Sequence, residues 1–177
     1  MRCFTGIDVP DQIKKRILEV QGLMPRENLT LVREDALHIT LHFFDHISEN
    51  QVRKVIKALD SESPGKFDVD IRGISYFGGK EIHTIFVKVN DPEGRITSLY
   101  RNIGESLASG GVRYDSKAYT PHITIARCKR DGYRLAGFMD GNSDTEFGSF
   151  SVERIFLKQS VLSNQGPVYT TLHEHEI

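Results

Sequence analysis

The chain has 177 residues, 38% of them hydrophobic and 27% charged, so it can bury an ordinary core within one domain. Its formal net charge of −1 excludes the strong basic surplus typical of proteins that coat long nucleic acids. Two cysteines are too few for a disulfide framework or a four-cysteine zinc site, and no stretch has the roughly 20 apolar residues of a membrane span.

The first half of the chain is predicted to alternate strands and helices. In order, it contains a strand over residues 2–9, a helix over 11–24, a strand over 37–44 and a helix over 49–59. The strand over 37–44 alternates polar and apolar side chains, whereas apolar residues recur at helical spacing in the two helices. Ser48 and Gln51 form a capping-box pattern at the start of the second helix.

The second half is predicted to be richer in strands. It contains strands over 67–77 and 82–89, a helix between Asp91-Pro92 and Gly110-Gly111, and strands over 123–128, 150–162 and 168–173, with 131–143 ambiguous. Gly78-Gly79-Lys80-Glu81 predicts a hairpin between the first two strands, and a turn is expected over 163–167. A hairpin among interleaved helices favours an α+β fold with antiparallel sheet over a doubly wound parallel one. No linker is evident, so residues 1–177 are predicted to form a single domain.

A four-residue motif occurs twice, once in each half of the chain. His38-Ile39-Thr40-Leu41 recurs as His122-Ile123-Thr124-Ile125, and each copy lies on a predicted strand. Residues i and i+2 of a strand share a face, so each histidine points with its threonine while the apolar partners face the core. The repetition predicts two related lobes whose histidines and threonines face each other across a cleft.

Two converging histidines are suited to cleaving a phosphodiester without a metal. One neutral imidazole can accept a proton from the attacking oxygen while a protonated one gives a proton to the leaving oxygen, because histidine titrates near neutral pH. Each positioned proton transfer is worth roughly 10²–10⁴ in rate. Threonine hydroxyls can donate hydrogen bonds to the non-bridging phosphate oxygens.

In these residues the chain resembles the 2H phosphoesterases, and among them the RNA 2′,3′-cyclic phosphodiesterases, often labelled 2′-5′ RNA ligases. The resemblance covers nearly the whole chain. It includes the opening RCFTGID stretch, the first motif followed by Phe43, the TPHITIAR block around the second motif, and the GPVY stretch near the end. The second block, with proline before the histidine and arginine after it, is the most specific part.

The resemblance implies a bilobal α+β fold: two pseudo-symmetric lobes with antiparallel sheets flanked by helices, and an active-site cleft between them. It implies that His38 donates a proton to the leaving 3′ oxygen and that His122 activates water. Thr40, Thr124 and Arg127 would bind the phosphate. No metal and no cofactor are expected, the product would carry a 2′-phosphate, and the reverse reaction would be weak 2′-5′ RNA ligation.

The expected partners are RNA ends or nucleotides with a 2′,3′-cyclic phosphate, with no membrane involved. We expect a monomer. A cytoplasmic location is expected because residues 1–10 lack the apolar run of a signal peptide.

Two departures from the family bear on the surface around the substrate. Relatives often have an aromatic residue where this chain has Leu31-Val32, and commonly read Phe-Leu-Gly where it has Phe43-Phe44-Asp45.

Strict alternation along the second motif strand would place Arg127 on the face opposite His122. A bulge, the strand end or the length of the side chain would be needed to bring it back to the site. Alternation also puts His42 on the face of His38, where it would line the cleft. A zinc site built on His42 and His46 is disfavoured, because their four-residue spacing suits a helix rather than a strand.

Further side chains have two interpretations each. Tyr169 is suited either to stacking on a base or to packing within a terminal strand. Arg33, Lys117 and Arg130 are interpreted as ordinary solvated charges rather than as contributors of positive potential, and His173 and His175 as a solvated strand end.

Two other functions remain open at the level of the sequence. The cleft could hold a nucleotide or RNA end without turnover, as a binding module. Alternatively, the enzyme could act on a different small cyclic phosphate, such as an ADP-ribose derivative, or on a 3′ oligonucleotide tail.

Overall fold

The computed structural model describes residues 1–78, 81–129, 135–164 and 166–177. In chain order its elements are β1 (Cys3–Asp8), α1 (Asp11–Gly22), β2 (Leu29–Leu31), a 3₁₀ turn (Glu34–Ala36), β3 (His38–Phe44), α2 (Glu49–Asp60), β4 (Phe67–Phe77), β5 (Thr84–Asn90), α3 (Arg95–Ser109), β6 (His122–Cys128), α4 (Ala136–Gly141), β7 (Glu146–Val152), β8 (Arg154–Ser163) and β9 (Gly166–Glu176). The α+β class predicted from the sequence is confirmed. No helix in these ranges is long and apolar enough to cross a membrane.

The strands of the described residues form one antiparallel sheet in the order β7-β4-β5-β6-β3-β1-β8-β9, with β2 paired to β6. The two motif strands, β3 and β6, are neighbours at its centre and meet at Ile39 and Ile123. Strands β1, β3, β8 and β9 form one half of the sheet, and β4 to β7 form the other. The first and last strands of the chain therefore share a half, and the middle of the chain supplies the other half.

The core lies between the sheet and helices α1, α2 and α3. Alternate strand residues such as Ile39, Ile123 and Ile125 are fully buried on this side, together with Ile17 of α1 and Ile103 of α3. Burying a large apolar side chain stabilises a fold by roughly 1.5–3 kcal/mol, so this packing determines which face of each strand points inward. The motif histidines and threonines are only half-buried, because they lie on the opposite face.

Local signals in the sequence account for several boundaries. The Ser48 hydroxyl accepts a hydrogen bond from the Gln51 amide at 3.3 Å, and the Gln51 side chain accepts one from the Ser48 amide at 2.9 Å, as the capping-box pattern predicted. The central hairpin prediction is supported by antiparallel pairing of β4 with β5, although Gly79 and Lys80 of its turn lie outside the described residues.

The single strand predicted over 150–162 is wrong, because the structure has two strands there. β7 pairs with β4 in one half of the sheet, while β8 pairs with β1 in the other. The break falls where Glu153 and Arg154 are both exposed between buried Val152 and Ile155, which interrupts the period of two. The short strand β2 was not predicted, and Gln165 of the predicted turn over 163–167 lies outside the described residues.

Candidate active site

The pairing of β3 with β6 brings the two motifs together. With Ile39 opposite Ile123 in an antiparallel register, His38 faces Thr124 across the strands and Thr40 faces His122. Side chains directly opposite each other on one face of a sheet have Cβ atoms about 4.5–5.5 Å apart. Two imidazoles and two hydroxyls therefore cluster on one small patch of the exposed face.

A β-bulge in β6 turns Arg127 toward this patch. The register of β6 against β5 shifts by one residue between Ala126 and Thr124, and Ile125 and Ala126 are both fully buried in succession. One extra residue in a strand reverses the facing of everything beyond it. Arg127 consequently lies on the same face as Thr124, and both line one cavity.

Strand β3 has the equivalent bulge, and there the prediction for His42 is wrong. The register against β1 shifts between Thr40 and His42, so Leu41 and His42 are buried in succession and Phe43 takes the motif face. The His42 ring is fully buried and stacks on Tyr100 of α3 at 4.6 Å between ring centroids. Its Nδ1 lies 3.2 Å from the Thr5 hydroxyl. His42 is therefore a core residue and does not line the cleft.

An open cavity of about 650 Å³ extends from the patch toward strands β1, β8 and β9. Its lining includes four of the five residues predicted to act on the substrate, and Tyr169 as well: His38, Thr40, Thr124, Arg127 and Tyr169. Arg2 and Arg127 give it positive charge, Arg33 in its lining is paired with Asp35, and no aspartate or glutamate of the described residues lines it. The cavity is therefore locally cationic although the whole chain is slightly acidic. It lies on the His38 side of the patch, and His122 is not part of its lining.

The His38 ring is held by aromatic neighbours. Phe4 stacks on it at 4.5 Å, and Tyr169 contacts it edge-on at 5.5 Å. Burial lowers the pKa of His38 to about 4, and the nearby Lys158 ammonium acts in the same direction, while the Ala36 carbonyl and Asp8 partly oppose the shift. This lowered pKa keeps the His38 imidazole neutral at neutral pH.

The His122 ring is held in a comparable way in the other half of the sheet. Phe77 and Phe86 contact it at 4.8 and 5.2 Å, and its Nδ1 lies 2.7 Å from the Thr120 carbonyl. Because a carbonyl oxygen can only accept, Nδ1 carries the hydrogen and Nε2 of the neutral ring has the lone pair. Burial lowers the pKa of His122, and Arg127 adds to that shift, while the Thr120 carbonyl opposes it.

Several of these residues were missed by the sequence analysis. Nothing in the pattern singled out Phe4, Phe77 or Phe86 as partners of the histidines, because their strands pair only in the folded chain. His173 and His175 also differ from the prediction of a solvated strand end. They are half-buried and both lie within ion-pair distance of Asp60 of α2, at 2.6 and 3.3 Å. Arg33, interpreted from the sequence as an ordinary solvated charge, lines the cavity. Lys117 is exposed, as predicted, and Arg130 lies outside the described residues.

Gln21 is the residue that secures the bulge in β6. Its side chain is 3% exposed, and Nε2 donates hydrogen bonds to the carbonyls of Val32 at 2.9 Å and Ile125 at 2.7 Å. The Val32 amide also donates to the Ile125 carbonyl, at 2.9 Å. The last turn of α1 is thereby joined to the bulge that directs Arg127 and to Val32 in the cavity lining.

Replacing Gln21 with leucine should lower the free energy of unfolding by about 1–3 kcal/mol, because the carbonyls of Val32 and Ile125 each lose one hydrogen bond. The Val32 amide should also exchange its hydrogen faster, since the bulge it bonds is no longer held from α1. Urea unfolding and hydrogen exchange measure the two effects. Gln12→Leu on the exposed face of the same helix is the control, and equal exchange at Val32 in both variants would contradict the assignment.

Comparisons with known proteins identify the family of this chain. The sequence profile of the 2′-5′ RNA ligase superfamily matches residues 9–160. The RNA 2′,3′-cyclic phosphodiesterase of Archaeoglobus fulgidus is 30% identical over 180 residues, covering 99% of this chain and 100% of the relative. That of Aeropyrum pernix is 32% identical over 146 residues, covering 81% of this chain and 83% of the relative.

Solved structures share the fold. TT0787 of Thermus thermophilus superposes with a TM-score of 0.83 at 23% identity, and E. coli LigT complexed with 3′-AMP with a TM-score of 0.86 at 20% identity. Each covers 99% of this chain and 97% of its own. With a family profile spanning most of the sequence and relatives matched over nearly their full length, this chain belongs to the 2′-5′ RNA ligase superfamily of 2H phosphoesterases.

Proposed function

We propose that this protein hydrolyses the 2′,3′-cyclic phosphate at an RNA or nucleotide end to the 2′-phosphomonoester. The observation that carries the proposal is the cluster of two histidines, two threonines and Arg127 on one face of the sheet, beside a cationic cavity. The relatives that match over nearly their full length are named RNA 2′,3′-cyclic phosphodiesterase, which supports this substrate.

The asymmetry of the site supports opposite roles for the histidines. The cavity lies beside His38, so a bound nucleoside would occupy that side, and its 3′ oxygen would leave toward His38. In-line attack then brings water from the His122 side. The hydrogen bond from Nδ1 of His122 to Thr120 leaves Nε2 free to accept the water proton, and its lowered pKa keeps that nitrogen unprotonated.

Two bonds to phosphorus change in the proposed reaction. The water oxygen bonds to phosphorus as its proton passes to His122, and the bond from phosphorus to the 3′ oxygen breaks as His38 protonates that oxygen. Thr40, Thr124 and Arg127 hold the non-bridging oxygens, where negative charge accumulates. The lowered pKa of His38 keeps its imidazole neutral at neutral pH, but the charge of a bound phosphate raises the pKa of an adjacent imidazole. We therefore assign the proton of His38 to the substrate-bound state.

Other aspects of the proposal follow from the same site. Residues 1–177 would act as a single domain of two intertwined lobes, as a monomer, without metal or cofactor. The free thiols Cys3 and Cys128 suit a reducing cytoplasm. Run in reverse, with a 5′-hydroxyl RNA end in place of water, the chemistry would give weak 2′-5′ ligation.

The test is an assay with an oligonucleotide ending in a 2′,3′-cyclic phosphate, in excess chelator. We expect full activity and a product whose terminal phosphate is on the 2′ oxygen. Loss of activity in chelator would overturn the metal-free mechanism, and a 3′-phosphate product would reverse the choice of leaving oxygen. Tight nucleotide binding without turnover would favour the binding-module alternative, and faster turnover of a cyclic phosphate of an ADP-ribose derivative would favour a different substrate.

A further inference from the structure

The cavity beside His38 is larger than one phosphate requires. Its volume of about 650 Å³ is in the range of pockets that enclose a whole small-molecule ligand. The motif residues occupy one part of the lining, and Arg2 and Phe43 line it as well. A nucleotide whose cyclic phosphate lay at the motif residues would therefore extend toward other groups that the catalytic step does not use.

Arg2 directly precedes strand β1, and its side chain lies on the face of the sheet that carries the motif histidines and threonines. It precedes Phe4 by two residues, so the two side chains point the same way and are separated by about 7 Å along the strand. The Arg2 carbonyl accepts a hydrogen bond from the Ser160 amide at 2.9 Å, which ties the backbone to β8. Phe4 in turn stacks on His38. Arg2 is therefore held by the sheet at a set distance from the proposed proton donor.

The guanidinium of Arg2 is oriented by Phe43. Its central carbon lies 5.1 Å from the centroid of the Phe43 ring. A guanidinium over an aromatic face keeps the N–H groups at its edge available for a phosphate, and arginine is the preferred residue for such recognition. The bulge in β3 is what turns Phe43 to this face. Phe43 follows His38 by five residues, and Arg127 follows His122 by the same number. The two bulges therefore turn equivalent residues of the two motif strands toward the cavity.

The charge of Arg2 is only loosely neutralised. Its Nε atom is buried and has no hydrogen-bond partner among the described residues. Asp45 is the acidic neighbour, but its carboxylate lies 3.9 Å from Nε and is 79% exposed. Arg33, by contrast, donates from Nε to Asp35 at 3.0 Å. The guanidinium of Arg2 therefore has no close ion pair, and its terminal N–H groups are the donors that would meet a ligand anion.

We propose that Arg2, stacked on Phe43, binds the phosphodiester on the 5′ side of the terminal nucleotide. The proposal rests on the function proposed above. With the cyclic phosphate at the motif residues and the nucleoside in the cavity, the phosphate on the 5′ carbon lies on the side of the ribose opposite the cyclic phosphate. The preferred substrate is then an oligonucleotide end, because a nucleoside 2′,3′-cyclic phosphate has no 5′ phosphate to bind.

The experiment compares kcat/KM for a cyclic-phosphate-ended dinucleotide with that for the corresponding nucleoside 2′,3′-cyclic phosphate. The wild type should prefer the dinucleotide by about tenfold or more, the value of one charge-assisted contact. Arg2→Gln should abolish the preference by lowering kcat/KM for the dinucleotide much more than for the mononucleotide, while Arg2→Lys keeps part of the preference. For the dinucleotide, the slope of log kcat/KM against the logarithm of the salt concentration should be smaller by about one in Arg2→Gln, because one phosphate contact is lost.

Two further variants sharpen the test. Asp45→Asn removes the acidic neighbour and should strengthen the preference, which is a gain that misfolding does not produce. Arg101→Gln, on the exposed surface of α3, controls for loss of one positive charge. A wild type without preference, or Arg2→Gln that slows both substrates equally, would overturn the Arg2 site while leaving the hydrolase intact. Failure of the wild type to hydrolyse either substrate would instead refute the proposed function.

Discussion

Replacing His122 with alanine is expected to lower kcat for cyclic-phosphate hydrolysis about 10²–10⁴-fold, and His38→Ala should cause a loss of similar size. Each substitution removes one of the two proton transfers, whereas the threonines and Arg127 still bind the phosphate, so KM should change much less than kcat. The double variant should be little worse than either single one, because groups that act as a unit are not additive. Steady-state kinetics on a cyclic-phosphate-ended oligonucleotide measure all three.

The control for these variants is His46→Ala, which removes an exposed histidine outside the cavity. It should retain wild-type kcat. Thermal unfolding of each variant separates loss of chemistry from loss of structure, since Phe4 and Phe86 pack against the imidazoles. Full activity in both His38→Ala and His122→Ala would disprove the catalytic assignment, and a rise in KM alone would make the histidines binding groups.

Lowering the pH should unfold the protein partly through His42. Burial lowers the pKa of this imidazole from 6.5 to about 4, and the nearby Tyr100 carbonyl only partly opposes that effect. The folded state therefore keeps His42 neutral, so its contribution to stability is complete above pH 6.5. Between pH 6.5 and 4 the unfolded chain takes up a proton that the folded chain does not, and stability falls by about 1.4 kcal/mol per pH unit. The total loss from this residue should be about 3 kcal/mol.

Urea unfolding of wild type and His42→Leu at several pH values tests this expectation. The variant lacks the titrating ring, so its free energy of unfolding should fall less steeply below pH 6.5, and the difference between the two proteins should change by about 1.4 kcal/mol per unit. His38 titrates in both proteins and cancels in that difference. His46→Ala should run parallel to the wild type. Parallel curves for His42→Leu as well would show that the buried ring is not the source of acid sensitivity.

The most informative local signals in the sequence were short-range. The period of two over residues 37–44 and the capping pair Ser48 and Gln51 identified elements whose boundaries the structure reproduces closely. These signals depend on which residues lie next to each other along the chain, so no tertiary contact is needed to recognise them. The strand break at Glu153 was missed because the apolar character on both sides of it continues, and only the pairing partners differ.

The site was predicted less evenly. The repeated His-x-Thr pattern identified His38, Thr40, His122 and Thr124, because strand geometry alone puts each pair on one face. The face on which Arg127 and His42 lie depends on bulges in β6 and β3. A prediction from strict alternation assumes strands without bulges and so could not place these two side chains. For Arg127 the bulge restored the expected location, and for His42 the same kind of bulge reversed it.

The α+β class and the two motifs could be predicted without any tertiary contact, since both follow from local periodicity and from residue chemistry. Three features depend on contacts between distant parts of the chain. β3 and β6 are neighbours, particular aromatic rings enclose each histidine, and Gln21 and Thr5 bond the Ile125 carbonyl and Nδ1 of His42 at the two bulges. Most buried polar groups in a folded protein are paired, and the partner lies wherever folding brings a donor or acceptor, at any distance along the chain. Such pairings set the facing of Arg127 and Phe43, and hence the shape and charge of the cavity.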